Sequence, residues 1–242
     1  VLDIGGRVVM PGTVIARAFA NAWVGDLKWQ VQNDEITEPV MPQMNALYAV
    51  DPWFPSYRVN TTMGVTSINV TPGTVNVVGG NGVVIKTPGL DFEEMVRREP
   101  GSIVMSLTSA TTRYWSNQSG TPVTLEDASS MIRVALDGAE AYRDAASALE
   151  YDARHEAFLP LLRGETPVLI HADRTEEIRE AMSIAEDYGL RLVITGGVEA
   201  YRLADELAAA DVGVILGNSG SFASDIRGGG EGWSIEGPAI LN

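Results

Sequence analysis

The stretch Thr166-Pro-Val-Leu-Ile-His-Ala-Asp-Arg-Thr175 decides the fold, because it joins a buried strand to the start of a helix. Its apolar run ends at His171 and is short and continuous, which is typical of a strand covered on both faces. Two runs of the same kind follow at 191–195 and 212–216, and apolar residues at helical spacing fill both intervals. This alternation predicts right-handed crossovers between parallel strands.

The first half of the chain repeats the pattern more weakly and brings the number of predicted strands to seven. The further strands are predicted at Thr13–Phe19, Val65–Val70, Val83–Lys86 and Ile103–Leu107, and helices at Thr37–Val50, Asp91–Arg98 and Leu125–Leu149. A barrel of eight strands and eight helices takes about 250 residues. The 242 residues of this chain therefore predict one α/β domain over 1–242, a TIM-like barrel truncated at both ends that lacks its eighth strand.

Composition excludes several classes of function. The formal net charge is −15 and the basic residues are scattered, which argues against nucleic acid as a partner, since phosphate binding needs clustered Lys and Arg. There is no cysteine, so thiolate metal sites and cysteine nucleophiles are excluded. No apolar run is long enough to cross a membrane. We expect a soluble protein, and the sequence does not separate a cytoplasmic from a periplasmic location.

Irregular segments follow several predicted strands, and such insertions are where sites usually lie. They are Ala20–Glu38, Thr111–Pro122 and 217–237. Three tryptophans, Trp23, Trp29 and Trp53, either line a pocket or pack in an interface. The run Gly79-Gly-Asn-Gly82 lacks the Lys-Ser/Thr that follows a phosphate-binding loop. We therefore interpret it as a hairpin turn of the Asn-Gly type.

Few side chains are candidates for chemistry. His171 at a strand end suits a metal ligand or an acid–base group, and a structural hydrogen bond explains it equally well. Asp173 lies beside it in sequence. His155 lies in a charged segment and is interpreted as part of a solvated helix face, while Lys86 ends a strand, where lysines also reach simply for solvent.

A set of short motifs, in order along the chain, carries a resemblance to a known family. They are Val8-Val-Met-Pro-Gly12, Asp51-Pro-Trp53, Met63-Gly-Val-Thr66, Pro72-Gly73, Asn76-Val-Val-Gly-Gly80, Val84-Ile-Lys86, His171-Ala172 and Gly197-Val-Glu-Ala-Tyr201. Together they resemble the barrels of the amidohydrolase superfamily, in particular the imidazolonepropionase-like group. The resemblance implies a TIM-type barrel with a small β-sandwich domain, of which this chain holds only the barrel.

The resemblance also implies a metal site, from which this sequence departs. The His-x-His pair of the first strand falls on Arg17 and Phe19, the histidine of the fifth strand is kept as His171, and that of the sixth falls on Gly196. Lys86 matches a lysine that is carbamylated in some relatives and bridges two metals. The metal candidates are therefore His171 and Lys86, and the cofactor is zinc or another divalent metal if the protein is active.

Two classes of function follow. The first is an altered or non-catalytic amidohydrolase-like barrel, acting as a homo-oligomer or as the partner of a companion chain that completes the barrel. The second is an active metal-dependent hydrolase of amide or cyclic amide bonds, completed by further chain and acting on a small-molecule substrate. Besides these two classes, a third is an unrelated barrel enzyme that uses Asp173, Arg17 and His171 without metal. Arg17 itself is either a structural salt-bridge residue in a decayed site or a fixed cation that replaces the metal and pairs with Asp173 or a substrate carboxylate.

Overall fold

The computed structural model describes residues 5–19, 34–87, 91–145, 150–217, 234 and 236–241. Trp23, Trp29, most of the insertion at 20–38 and most of the loop predicted at 217–237 lie outside these residues. Trp53 is described and is 70% exposed. Its ring therefore faces solvent rather than an enclosed pocket.

Seven strands form a single sheet and follow one another in it in chain order. They are β1 (Thr13–Phe19), β2 (Val65–Thr71), β3 (Val78–Lys86), β4 (Val96–Ser106), β5 (Val168–Ala172), β6 (Leu192–Gly196) and β7 (Gly213–Leu216). A doubly wound sheet reverses its strand order at a switch point, whereas this order winds in one direction. The side chain of Arg17 on β1 reaches Thr195 on β6, so the sheet curls into a nearly closed, TIM-like barrel.

The strands are not all parallel, which corrects the expected parallel barrel. β3 runs antiparallel to β2 and β4, whereas the other neighbouring pairs are parallel. A parallel crossover needs about a dozen residues, and the segments from Thr71 to Val78 and from Lys86 to Val96 are too short for one. As a result Lys86, at the end of β3, pairs with Ser67 near the start of β2.

The glycine run at 79–82 lies within β3 and is not a hairpin turn. Close neighbours explain these glycines: a Cβ on Gly80 would lie 2.3 Å from the carbonyl oxygen of Met44, and one on Gly82 would lie 2.7 Å from Oγ of Ser102. Gly80 also has a φ of +107°, where side chains are strained. The small residues therefore allow the backbone of β3 to pack closely against its neighbours.

Helices and short helical turns cover the outside of the sheet. They are α1 (Pro55–Thr62), α2 (Phe92–Met95), α3 (Ser109–Gln118), α4 (Leu125–Asp144), α5 (Ala153–Glu156), α6 (Leu159–Leu162), α7 (Thr175–Asp187), α8 (Ala204–Ala209) and α9 (Gly237–Ile240), with 3-10 turns at Ala46–Ala49 and Ala200–Leu203. The long helix predicted after Pro122 is confirmed as α4. A capping box between Thr124 and Asp127 fixes its first residue.

Three further predictions of local structure were wrong. The helix expected at Thr37–Val50 is reduced to one 3-10 turn, since Pro39 and Pro42 interrupt its first turns. The helix expected at Asp91–Arg98 ends at Met95, because the chain continues into β4. Most of the irregular insertion expected at Thr111–Pro122 belongs to α3.

The core lies between the outer face of the sheet and the helices. Ile170 of β5 and Ile194 of β6 point outward into a cluster that includes Ile132 of α4 and Ile178 of α7. A smaller cluster covers β2 and β3. Because side chains alternate along a strand, the residues next to Ile170 and Ile194, His171 and Thr195, point into the barrel.

Within the described ranges, no helix is both long enough and apolar enough to cross a membrane. The missing eighth strand, the missing β-sandwich and the assignment of 1–242 to one domain stay predictions.

Replacing Gly80 with alanine tests the close approach of β3 to the segment at 41–45. We expect Gly80→Ala to lower the free energy of unfolding by about 2–4 kcal/mol, because the methyl group meets the Met44 carbonyl and φ is positive. Gly213→Ala is the matched control, since its Cβ meets nothing within 4 Å. Chemical denaturation measures both, and equal effects of the two substitutions would contradict this view of β3.

Candidate functional site

Three strands bring a histidine, a threonine and an arginine together inside the barrel, at the carboxyl ends of the parallel strands. His171 of β5 pairs in register with Thr195 of β6. From β1, Arg17 donates through Nη1 to the Thr195 hydroxyl at 3.1 Å. This is the end of the sheet where barrel enzymes hold their reactive groups. We call Arg17, His171 and Thr195 the barrel-mouth cluster.

His171 is held in one tautomer by its neighbour. Its Nδ1 lies 3.0 Å from the carbonyl oxygen of Thr195 and 3.3 Å from the hydroxyl of the same residue. A carbonyl only accepts, so Nδ1 carries the proton and Nε2 presents a lone pair. Burial, and then the positive charge of Arg17, lower the pKa of His171 to about 4. The ring is therefore neutral at neutral pH.

Arg17 is a cation fixed by neutral groups. Nε donates to the Thr71 hydroxyl at 3.3 Å and Nη1 to that of Thr195. Its Cζ lies 5.1 Å from the ring centroid of Phe19, which is a cation–π contact. The buried Nη2 has no hydrogen-bond partner among the residues that the structure describes. Burial lowers the pKa of Arg17 to about 10, and the charge of Asp34 opposes that shift, so the guanidinium stays protonated at neutral pH.

The acidic neighbour of Arg17 that sequence reasoning missed is Asp34. Its Oδ1 accepts the backbone N–H of Val75 at 3.2 Å, and a Cβ on Gly73 would lie 2.2 Å from Oδ2. Burial raises the pKa of Asp34, while the Val75 hydrogen bond and the charge of Arg17 oppose the rise. Asp34 lies in an insertion without periodicity, so no spacing in the sequence pointed to it. The sequence had suggested Asp173 or a substrate carboxylate as the partner of Arg17.

Gly196 explains how Asp173 and His171 come together. A Cβ at position 196 would lie 2.5 Å from Oδ1 of Asp173 and 2.7 Å from Cε1 of His171, so both side chains are neighbours of the same point. Gly196 also has a φ of +88°, which side chains avoid. In this conformation a histidine cannot replace Gly196 unless Asp173 and His171 move.

Two buried glutamates fix the loop that carries Asp173. Glu177 Oε2 accepts the backbone N–H groups of Asp173 and Arg174 at 2.8 and 3.2 Å, and its Oε1 accepts that of Ser109 at 3.2 Å. Glu199 Oε2 accepts the N–H of Thr175 at 2.9 Å. The spacing of Asp173 and Glu176 in the sequence suits a capping box. In the structure Glu177, one residue later, accepts the N–H of Arg174, so the spacing signal is present and its register is shifted by one residue.

The structure does not bring Lys86 and His171 together. His171 pairs with Ser106 at the carboxyl end of β4, and the N–H of Ser106 bonds to Val77 just before β3 begins. Lys86 is at the other end of β3, because that strand is antiparallel. The predicted use of Lys86 as a bridging ligand beside His171 therefore has no support from this geometry.

His155 lies on α5, outside the barrel. Its ring stacks on Tyr142 with 5.3 Å between centroids, and its Nδ1 lies 3.3 Å from Asp152. These contacts agree with a histidine in a helix surface, as interpreted from the sequence.

The donor set of the cluster does not suit a catalytic metal. Zinc in an enzyme takes three protein ligands as a rule. Phe19 and Gly196 offer no donor atom, and Arg17 is protonated. His171 Nε2 is a suitable ligand, and Asp173 Oδ1 approaches the same point beside Gly196 as the His171 ring. Across the described part of the chain, no group of three His, Cys, Asp or Glu side chains is arranged to hold a metal ion.

The shifted pKa of His171 is open to direct measurement. The chain has only two histidines, so comparison with His171→Asn assigns the NMR signals of His171, which we expect to titrate near pH 4. Arg17→Gln removes one positive neighbour, so the midpoint should rise toward the usual value of about 6.5 without reaching it, because burial remains. An unchanged midpoint in Arg17→Gln would show that the two groups are not coupled.

The same shift predicts how His171 contributes to stability. Its folded pKa lies below the unfolded value, so the unfolded chain binds more protons between about pH 6.5 and 4, and stability is lost as pH falls through that window. The loss amounts to at most about 3 kcal/mol. Denaturation of wild type and His171→Asn at pH 7 and pH 4.5 measures it. The wild type should lose more stability than the variant, and equal losses would contradict the prediction.

Comparison with known proteins fits this geometry. The chain is similar to the crystal structure of an amidohydrolase from Thermotoga maritima MSB8, with a TM-score of 0.90 and 27% sequence identity, over 100% of this chain and 67% of that chain. No protein-family model and no curated protein matches the chain. The likeness shows an amidohydrolase-type fold, which confirms at the level of the fold the resemblance drawn from the motifs.

Proposed function

We propose that this chain is an amidohydrolase-type barrel of the imidazolonepropionase-like group whose reaction centre is altered, so that it does not perform metal-dependent hydrolysis. The observation that carries the proposal is the Arg17 guanidinium. It occupies the interior of the barrel mouth, hydrogen-bonded to Thr71 and Thr195 and next to His171. By resemblance, Arg17 stands where the first metal-binding histidine is expected.

Electrostatics support this proposal. A divalent cation a few ångströms from a guanidinium is repelled by several kcal/mol at the effective dielectric constant of a protein surface, which is about 20. Arg17 does not relieve the repulsion by losing its proton, since its pKa of about 10 keeps it charged. His171 and Asp173 alone would have to hold the metal against this charge and against water.

The acid–base properties of His171 point the same way. A general base works best when its pKa lies near the working pH. With a pKa of about 4, neutral His171 is a weak base, and little driving force exists for it to take a proton from water. It remains a good hydrogen-bond acceptor through Nε2, so the site suits binding better than proton transfer.

A role in assembly is the companion of this proposal. Val8, Val9 and Met10 are 92%, 74% and 71% exposed, and β1 and β7 are the outer strands of the sheet. Exposed apolar residues and strand edges favour association. We propose a homo-oligomer or a complex with a companion chain, in which the altered barrel serves as a structural or regulatory partner.

Metal content and turnover test the proposal together. We expect the native, untagged protein to carry well below one equivalent of zinc, iron or manganese in elemental analysis. It should show no turnover of N-acyl amino acid, dipeptide or cyclic amide panels, with or without added zinc. One equivalent of metal, with turnover that is lost in His171→Asn and kept in His155→Asn, would overturn the proposal in favour of an active hydrolase.

A further inference from the structure

We propose that the barrel-mouth cluster binds a small, singly charged carboxylate that carries an O–H or N–H group next to its carboxyl group. The carboxylate binds Arg17, and the neighbouring O–H or N–H donates to His171. This inference rests on the proposed function, because a divalent metal in the barrel mouth would itself take the carboxylate.

Arg17 has hydrogen-bond donors that the described residues do not use. A guanidinium has five N–H groups, and the described acceptors are the hydroxyls of Thr71 and Thr195. Nη2 is shielded from solvent and unpaired among the described residues. A buried donor without an acceptor costs about 1–3 kcal/mol, and more when it is charged. An acceptor that binds Nη2 recovers that free energy.

The charge and shape of the Arg17 surroundings favour a carboxylate as the missing acceptor. In the described part of the chain, no carboxylate lies within salt-bridge distance of Arg17, and Asp34 acts on it only through longer-range attraction. The planar fork of a guanidinium matches the two oxygens of a carboxylate. Asp34 acts on Arg17 through its charge and Asp173 adjoins His171, so these two carboxylates repel phosphate, with about two negative charges, more than they repel a singly charged carboxylate. The site therefore favours a single negative charge.

His171 offers the ligand a hydrogen-bond acceptor beside Arg17. Because the Nδ1 proton is donated to the Thr195 carbonyl, Nε2 is available only as an acceptor. It therefore matches a donor on the ligand and not a second anionic oxygen. A plain carboxylate satisfies Arg17 alone, whereas a 2-hydroxy or 2-acylamino carboxylate satisfies both residues.

A small ligand can reach the cluster from solvent. Arg17 and His171 are each partly exposed, and Phe19, whose ring lies beside the guanidinium, is 39% exposed. The cluster is thus within reach from the barrel mouth, although Nη2 itself lies below the surface. The aromatic face of Phe19 is an apolar wall against which the carbon chain of a small ligand can pack.

Glycolate and acetate are the probes, because they differ by the one hydroxyl that His171 is expected to bind. Titration calorimetry at constant ionic strength should show saturable binding of one glycolate per chain. We expect acetate to bind at least about fivefold more weakly, because it leaves His171 without a donor. In His171→Leu the difference between the two probes should disappear. Equal affinity of the probes for the wild type would overturn the part assigned to His171.

Substitution of the charged residues tests the part assigned to Arg17. Arg17→Gln should weaken glycolate binding at least about tenfold, while Arg58→Gln, on the exposed face of α1, should leave it unchanged. Asp34→Asn removes a competing negative charge and should tighten binding severalfold, which gives a second test if Arg17→Gln does not fold. Unchanged binding in Arg17→Gln, or unchanged or weaker binding in Asp34→Asn, would overturn the site.

Chelation separates this inference from the proposed function. The titrations are repeated after dialysis against EDTA, with the metal content measured on the same samples. Binding that survives chelation in metal-free protein supports both proposals. Absence of binding in metal-free protein overturns the carboxylate site alone, whereas binding that requires a stoichiometric metal overturns both.

Discussion

The burial of one guanidinium group is the constraint on which the barrel mouth depends. A charge taken out of water is costly unless hydrogen bonds or opposite charges replace the lost solvation. For Arg17 the replacement comes from hydroxyls on β2 and β6, from the Phe19 ring on β1 and from the charge of Asp34. The Arg17 side chain thus links β1 to β2 and to β6, which are distant in sequence. It reaches β6 because the sheet is curved.

The protonation state of His171 follows from that constraint. A buried imidazole next to a positive charge loses less free energy when it stays neutral. Its Nδ1–H then donates a hydrogen bond to the Thr195 carbonyl oxygen. The hydroxyl of the same threonine accepts a hydrogen bond from Arg17. Thr195 therefore orients both members of the cluster. Glu177 adds rigidity nearby, because its carboxylate joins the turn after β4 to the loop after β5 through three backbone N–H groups.

The sequence predicted the fold well where local and long-range signals agreed. The runs at 167–171, 191–195 and 212–216 have continuous apolar patterns with helices between them, and they became β5, β6 and β7. It failed at β3, because the direction of a strand depends on the length of its connections and on the neighbours of its glycines, which periodicity does not record. At the site, the structure brings together His171, singled out by its strand-end position, and Arg17, singled out by the resemblance, while their roles stay predictions. Asp34 could not be predicted, since only the folded chain brings its insertion against Gly73 and Val75.

Two sets of neighbours shape the barrel mouth at the positions where the resemblance implies metal ligands. Arg17 and Phe19 contact each other, which gives the cation an aromatic neighbour where two histidines are expected by resemblance. Gly196, with its positive φ, leaves the space in which Asp173 and His171 meet. A histidine at position 17 alone would not restore the pair, because Phe19 has no donor atom. A histidine at position 196 would displace Asp173 and His171. The arrangement therefore differs from the metal site that the resemblance implies in charge, in donor atoms and in backbone geometry.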